Sequence, residues 1–277
     1  MAHVTRRRPV SRFGVEGLLS TRPDTLAVEE PLEIRLDDEP FTVTMRTPGH
    51  DLDLALGFLV SEGVLHGPAD VVSARHCPDA ALDAEGRPTF NVVTVDLAAG
   101  VTRPPPARHR LVSSACGVCG TASIDEVTTR SRFRVADDLL RVPAAVLAGL
   151  PGRMRGEQSV FERTGGLHAA ALFTPAGDLL CLREDVGRHN AVDKVVGWAF
   201  AAGRLPLAGL LLQVSGRASF ELVQKAVMAG CPLLAAVSAP SSLAAELATE
   251  QGLTLIGFSR GDRFSVYAGA ARVTSGG

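Results

Sequence analysis

Residues Leu207–Val237 read LAGLLLQVSGRASFELVQKAVMAGCPLLAAV: an apolar run, a turn of small and polar residues, a helix-length segment and a second apolar run. Leu207 to Val214 has the unbroken apolar character of a strand buried on both faces. Phe220, Val223 and Val227 then share one face of a helix over Phe220 to Ala229, and Leu233 to Val237 is again strand-like. Downstream, the alternation continues through a helix at Ser242 to Gln251, a strand at Leu253 to Phe258 and an edge strand at Phe264 to Ala268. Upstream, Leu167 to Phe173 and Leu179 to Leu182 pair as a hairpin across Pro175-Ala176-Gly177-Asp178. On the helix that follows, Val192, Val195, Val196 and Ala199 form an i, i+3, i+4, i+7 stripe. This order predicts an α/β fold with a largely parallel sheet covered by helices.

The N-terminal third reads differently. Thr25 to Leu36 and Phe41 to Met45 are expected to form a hairpin across Asp37-Asp38-Glu39-Pro40. A helix over Asp51 to Glu62 follows, with Asp51 or Asp53 as cap or first-turn acid, and Asn91 to Leu97 alternates like a strand. Pro104-Pro105-Pro106 stiffens a linker, and a helix is expected over Asp137 to Leu150 with Pro143 early in it. The division that follows is a mostly β N-terminal subdomain over 1–110, a mobile Cys-x-x-Cys loop over 111–125 and an α/β core over 126–277.

Composition bounds the function. The 277-residue chain is 46 % hydrophobic and 21 % charged, with a formal charge of -2. That balance argues against a non-specific nucleic-acid binder, whose affinity comes largely from phosphate neutralisation, and leaves room for local basic pockets. No apolar run approaches the ~18 residues of a membrane helix. Arg6, Arg7 and Arg8 are followed by Pro9, Ser11 and Arg12 where a signal peptide needs an apolar stretch, so this end reads as a solvated tail. Five cysteines, Cys77, Cys116, Cys119, Cys181 and Cys231, are an odd count. They point to thiol chemistry or metal binding in a reducing, cytoplasmic compartment rather than to a disulfide scaffold.

Cys116-Gly117-Val118-Cys119 is the sharpest chemical feature. It lies within Ser113–Thr121, a run of small, flexible residues that gives a nucleophilic thiolate access and mobility. A zinc knuckle normally takes four ligands, and only one such pair is present; Cys77, Cys181, His168 and His189 would have to complete it from unrelated segments. A thioredoxin-like motif would sit between a strand and a helix, which these Ser, Ala, Gly and Thr flanks do not suggest. A mobile nucleophile carrying a transferable group fits best, with no resident metal. Cys77, Cys181 and Cys231 read as small hydrophobes.

The three C-terminal strands each run into a polar turn: Ser215-Gly216-Arg217-Ala218-Ser219, Ser238-Ala239-Pro240-Ser241-Ser242 and Ser259-Arg260-Gly261-Asp262-Arg263. Ligands of open α/β sheets settle outside the carboxyl ends of the strands, where helix N-termini offer free N–H groups to phosphate. Arg217, Arg260 and Arg263 offer bidentate contacts to phosphate, and Asp262 an acceptor for a guanine edge. Each serine is equally a plain helix cap. Arg183 to Lys194 (REDVGRHNAVDK) crowds ionisable groups before an apolar stripe and reads as a further functional rim, though Glu184 or Asp185 could equally cap that helix and Arg188 or Lys194 be solvated. His168, at a strand start, is either a structural histidine or a participant.

These segments resemble the FdhD family of formate dehydrogenase accessory sulfurtransferases. The matching pieces are GFLVSEGV (Gly57–Val64), SSACGVCG (Ser113–Gly120), TGGLHAAAL (Thr164–Leu172), REDVGRHNAVDKVVG (Arg183–Gly197), SGRASFELVQKA (Ser215–Ala226), SAPSSLA (Ser238–Ala244) and LTLIGFSR (Leu253–Arg260). The resemblance implies a cytidine-deaminase-like core and a homodimer. It also implies a persulfide on Cys116, accepted from a cysteine desulfurase with Cys119 assisting. The sulfur would pass to the molybdenum cofactor, bis-molybdopterin guanine dinucleotide, for formate dehydrogenase. The cofactor's guanine and phosphate portion would contact Phe258, Ser259, Arg260, Gly261, Asp262 and Arg263. Two rival readings are a deaminase, which would want H-x-E and P-C-x-x-C where this chain has His168-Ala169-Ala170 and no proline before Cys116, and a non-catalytic cofactor chaperone whose cysteine pair holds zinc.

Overall fold

The computed structural model describes residues 3–78, 82, 86, 88–102, 111–112 and 131–275. In chain order the elements are β1 (Thr5–Gly14), β2 (Gly17–Ala27), β3 (Glu30–Leu36), β4 (Glu39–Arg46), α1 (Asp51–Ser61), β5 (Val71–His76), β6 (Val92–Leu97) and β7 (Leu111–Val112). Then follow β8 (Val142–Pro143), α2 (Ala144–Glu157), α3 (Ser159–Thr164), β9 (His168–Phe173), β10 (Leu179–Asp185) and α4 (Arg188–Ala201). The chain ends with β11 (Leu211–Val214), α5 (Phe220–Met228), β12 (Leu233–Ala236), α6 (Ser242–Gln251), β13 (Thr254–Arg260), β14 (Arg263–Ala268) and β15 (Val273–Thr274).

The C-terminal half is organised on a six-stranded sheet of order β10-β9-β11-β12-β13-β14. Only β11–β12 and β12–β13 pair in parallel; β10–β9, β9–β11 and β13–β14 are antiparallel. The sheet is therefore mixed, not largely parallel. The β9–β10 hairpin docks through β9 against β11, a long-range choice that strand and helix periodicity does not encode. One face packs on α4, α5 and α6 and the other on α2, each with its own apolar cluster.

In the N-terminal third, β5-β6-β3-β4-β7 form a second sheet, with the expected β3–β4 hairpin at its centre. Residues 5–27 correct the tail expectation: β1 and β2 pair antiparallel into a two-stranded ribbon, and Thr25 to Ala27 belong to it rather than to β3. The helix expected over Asp137 to Leu150 starts only at Ala144 and runs to Glu157. Pro143 lies just outside it with ψ 136, and the residue before a proline is driven away from helical backbone.

Helices α1 and α4 join the two halves through an unusually close crossing. A Cβ on Gly57 would fall 1.8 Å from the Asp193 carbonyl oxygen, and one on Gly197 1.8 Å from the Asp53 carbonyl oxygen. Only glycines permit this approach. It brings Leu54, Leu59, Val192 and Val196 into one apolar core continuous from β3 to β13.

Buried charges brace the same junction. Arg46, fully buried, donates to both Asp51 oxygens at 3.0 and 3.1 Å and to Asn91 at 2.9 Å. Asp51 therefore serves as an ion-pair partner and, with Asp53, as a first-turn acid of α1, whose cap position is held by His50. Lys194, 1 % exposed, meets Asp185 at 2.7 Å and donates to the Thr47 carbonyl at 2.9 Å. Asp185 also accepts from the backbone N–H groups of Thr47 and Gly187, while Asn190 donates to it and to the Met45 carbonyl. Glu184 caps α3, accepting from Val160 N and Phe161 N. Much of the polar crowd in Arg183–Lys194 thus ties β4 and α3 to the core. The rim reading of these residues is corrected accordingly, and Lys194 is not solvated.

Lys225 makes a comparable strut, 2.8 and 2.9 Å from the Asp193 oxygens, with Ser61 donating to Asp193 at 2.8 Å. Replacing Lys225 alone strands a buried carboxylate. Lys225→Met is expected to cost about 3–5 kcal/mol, and Lys225→Met with Asp193→Leu to recover most of it, because an apolar pair restores compensation. Urea unfolding of the two variants checks this; equal destabilisation by both would show that charge pairing is not what matters there.

Candidate functional site

The three polar turns stand side by side, as their sequence predicts. Backbone hydrogen bonds stitch them: Val237 N to Val214 O, Ser238 N to Gly216 O, Ser241 N to Ala218 O and Phe258 N to Ser238 O. The serines do different work. Ser241 caps α6, accepting from Ala244 N at 3.2 Å, and Ser215 accepts from Ala169 N at 2.8 Å. Ser219 precedes α5 without capping it; its hydroxyl lies 3.3 Å from His189 Nε2.

The third turn is the most distorted. Between the pairs Gly257–Ser265 and Arg260–Arg263 the register shifts, so Phe258 and Ser259 together oppose Phe264. Such a bulge re-aims side chains, and bulges recur beside functional sites. Phe258 takes φ 51, a left-handed backbone costly for a bulky residue. Its ring stays part-exposed, with the Arg260 guanidinium 5.7 Å above it. Ser259 Oγ, fully buried, has no hydrogen-bond partner among the described residues.

Arg260 and Arg263 face each other directly across the Gly261-Asp262 turn. Like charges opposite one another on a ladder repel. Among the described residues neither arginine has an ion-pair partner, Asp262 included. Phe258, Arg260, Gly261, Asp262, Arg263 and Phe264 line a cavity of about 510 Å³. It offers aromatic faces, two guanidinium groups and one carboxylate, a donor set suited to a phosphorylated base. Arg217 is exposed and lines neither this cavity nor the one beside it, so its grouping with the other two arginines does not hold.

On the α2 side of the strand ends lies a second cavity of about 620 Å³, sharing Arg260 and Gly261 with the first. Its walls include Met154, Arg155 and Phe161, which sequence reasoning missed because no motif marks them. Arg155 stacks over Phe161 at 4.4 Å. His168 lines this cavity too; burial lowers its pKa, with the nearby Arg188 and His189 adding to the effect. His189, 5 % exposed, also lies 3.7 Å from Glu221, and the imidazole and Ser219 hold that carboxyl down at about 2 against desolvation.

Cys116 and Cys119 lie outside the described residues, as do Pro104 to Pro106. Two of the other thiols are poor nucleophiles. Burial pushes Cys181 up to about 11 and Cys231 up to about 12, and Cys77, half-buried, sits 3.2 Å from the Thr94 hydroxyl. Among the described residues no three His, Cys, Asp or Glu side chains gather as a metal site, and no helix is long and apolar enough to cross a membrane.

The model of the FdhD/NarQ family matches residues 27–274, nearly the whole chain. The chain belongs to the FdhD/NarQ family. Among its FdhD/NarQ relatives, a protein of Streptomyces coelicolor named sulfur carrier protein FdhD is 58 % identical over 99 % of this chain and 97 % of its own. Proteins of the same name from Nocardia farcinica and Mycobacterium tuberculosis are 57 % identical over 98 % of this chain and 96 % of theirs, and 52 % identical over 99 % and 100 %. A crystal structure from Desulfotalea psychrophila, described as that of a formate dehydrogenase accessory protein, superposes with a TM-score of 0.79 at 22 % identity. It covers 98 % of this chain and all of the other, and at that identity the likeness speaks for the fold.

Proposed function

We propose that this FdhD/NarQ chain is a cytoplasmic sulfur carrier, active as a homodimer, that takes sulfur from a cysteine desulfurase. It hands that sulfur to bis-molybdopterin guanine dinucleotide destined for a formate dehydrogenase. The observation that carries the reading is the arginine pair: two guanidinium groups held opposite each other with no ion-pair partner among the described residues call for a polyanion, and a phosphorylated guanosine supplies one. The names of the close relatives support the sulfur chemistry. The raised thiols of Cys181 and Cys231 support assigning that chemistry to the loop pair. The sheet order, an antiparallel hairpin beside three parallel strands, supports a cytidine-deaminase-like core.

In the transfer, the Cys116 thiolate attacks the terminal sulfur of the donor's persulfide. A Cys116 S–S bond forms, the donor's thiolate leaves, and no net oxidation occurs. Releasing that sulfur as sulfide takes two electrons. Cys119 supplies them by attacking Cys116 Sγ, which forms a Cys116–Cys119 disulfide and frees hydrosulfide for the substrate's metal; a thiol reductant then resets the pair. Arg260 and Arg263 hold the substrate's phosphates, and Asp262 accepts from the guanine edge.

GDP is expected to bind, and Arg260→Ala with Arg263→Ala to weaken it at least about tenfold, since hydrogen bonds to charged groups contribute about 1.5–3 kcal/mol each. Isothermal titration calorimetry reads this. Unchanged affinity in the double variant would place the nucleotide elsewhere.

A further inference from the structure

The β1–β2 ribbon takes no part in the sulfur or nucleotide chemistry, and its own sequence sets it apart. No residue of either strand is buried. Its base is tied to the fold by the hydrogen bond from Val28 N to Val4 O and by β2 touching α3. A two-stranded ribbon left to itself is marginal in water, because it has too little apolar surface to bury. Here the apolar surface exists but lies open: Phe13, Val15, Leu18 and Leu19 crowd the tip, and all four are exposed.

The arginines are sorted as well. Alternate residues of a strand share a face, and directly opposed residues share it too. The pairs Arg6–Leu26, Arg8–Asp24, Val10–Arg22 and Arg12–Ser20 therefore put Arg6, Arg8, Arg12 and Arg22 on one face. Arg12 meets Asp24 at 3.3 Å. Arg6, Arg8 and Arg22 have no ion-pair partner among the described residues. With Arg7, the ribbon holds five arginines against Glu16 and Asp24 in a chain of formal charge -2, so the rest of the chain is acidic.

We infer that the β1–β2 ribbon is an arm that clasps a second copy of this chain, its arginine face on the acidic body of the partner and its apolar tip buried there. The inference rests on the chain acting as a homodimer and assigns the interface. Charge complementarity selects the occupant: the basic arm and the acidic body belong to the same molecule, and a twofold exchange satisfies both arms at once. The size agrees, since strands of 10 and 11 residues match the about 20–30 residues a side of a standard interface. Glu16, set within the apolar tip, disfavours an anionic membrane as the cover.

Sedimentation velocity of the full chain over a concentration series reads the dimer dissociation constant. Two variants test the two halves of the arm: Arg6→Glu with Arg8→Glu and Arg22→Glu, and Phe13→Ser with Leu18→Ser. Each is expected to raise the constant at least about tenfold, since one reverses the charge match and the other removes buried apolar area. Circular dichroism matching the parent shows that the variants are folded, because the altered side chains lie outside the core. Hydrogen exchange needs no substitution: amides of residues 5–27 should exchange more slowly in the dimer than after dilution to monomer. A dimer whose affinity is unchanged in both variants, with ribbon exchange indifferent to dilution, would overturn the inference and leave the homodimer standing on another face. Binding of the parent but not the variants to phosphatidylserine–phosphatidylcholine vesicles, at unchanged dimer affinity, would overturn it by making the ribbon a membrane contact. A parent chain that is monomeric throughout would instead strike the proposed homodimer itself.

Discussion

Gly197→Ala is expected to destabilise the protein by at least about 3 kcal/mol, at or beyond the upper end of ordinary overpacking. The methyl group would lie 1.8 Å from the Asp53 carbonyl oxygen and 2.8 Å from Gly57 N, and both are helix backbone that no rotamer change can move aside. Helices α1 and α4 would have to separate. That would loosen Leu54, Leu59, Val192 and Val196 and pull on the Arg183–Asp53 ion pair at 2.9 Å. Against a typical total of about 5–15 kcal/mol, such a loss removes much of the stability. Gly149→Ala is the matched control. It sits mid-helix in α2, and its Cβ would meet only Arg153 Nε at 3.9 Å, so relief of glycine's conformational entropy should raise stability by about 0.4–1 kcal/mol. Urea denaturation of both variants decides the matter. A cooperatively unfolding Gly197→Ala protein within about 1 kcal/mol of its parent would mean that the crossing is looser than described.

That contact was not legible in the sequence, and the reason is physical. Gly57 and Gly197 each look like weak points in a helix, and nothing local says that they meet. What could be read were elements marked at both ends by local chemistry. Helix α6 runs from Ser242 to Gln251 as expected because Ser241 caps it and Gly252 closes it in a left-handed conformation. The β9–β10 hairpin followed from its turn residues. The helix expected over Asp137 to Leu150 begins only at Ala144 because the backbone before Pro143 is driven away from the helical region.

Long-range pairing was the second blind spot. The antiparallel docking of β9 on β11, and the ribbon formed by β1 and β2, depend on partners distant in the chain or on a hairpin whose strands are almost wholly exposed. Charge was the third. Asp185, Asn190, Asp193 and Lys194 read as a functional rim, but they are buried struts. A buried paired charge and a ligand-binding charge are the same letter. The turn at Gly261-Asp262 was legible as a turn because glycine and polar residues follow a buried strand. The opposite wall of the neighbouring cleft, from α2 and α3, carried no such signature.

The largest functional effect is expected at Cys116. Cys116→Ser should abolish sulfur loading and, in cells, formate dehydrogenase activation, because a serine hydroxyl cannot hold a sulfane sulfur. Cys181 and Cys231, held at about 11 and about 12 by burial, cannot substitute. Cys119→Ser should still load sulfur on Cys116 but deliver it only as fast as an external thiol reduces the persulfide, since the built-in electron donor is missing. This separates the two thiols, which Cys116→Ser alone does not. GDP affinity should be the same in both variants as in the parent, so that loss of function cannot be ascribed to a damaged nucleotide site.

The most direct test is peptide mass spectrometry of the chain after incubation with a cysteine desulfurase and cysteine. The expected spectrum shows the Cys116 peptide heavier by one sulfur atom, restored to its original mass by a thiol reductant and absent in Cys116→Ser. An unmodified Cys116 in a chain that instead holds stoichiometric zinc through its cysteine pair would contradict the sulfur-carrier assignment.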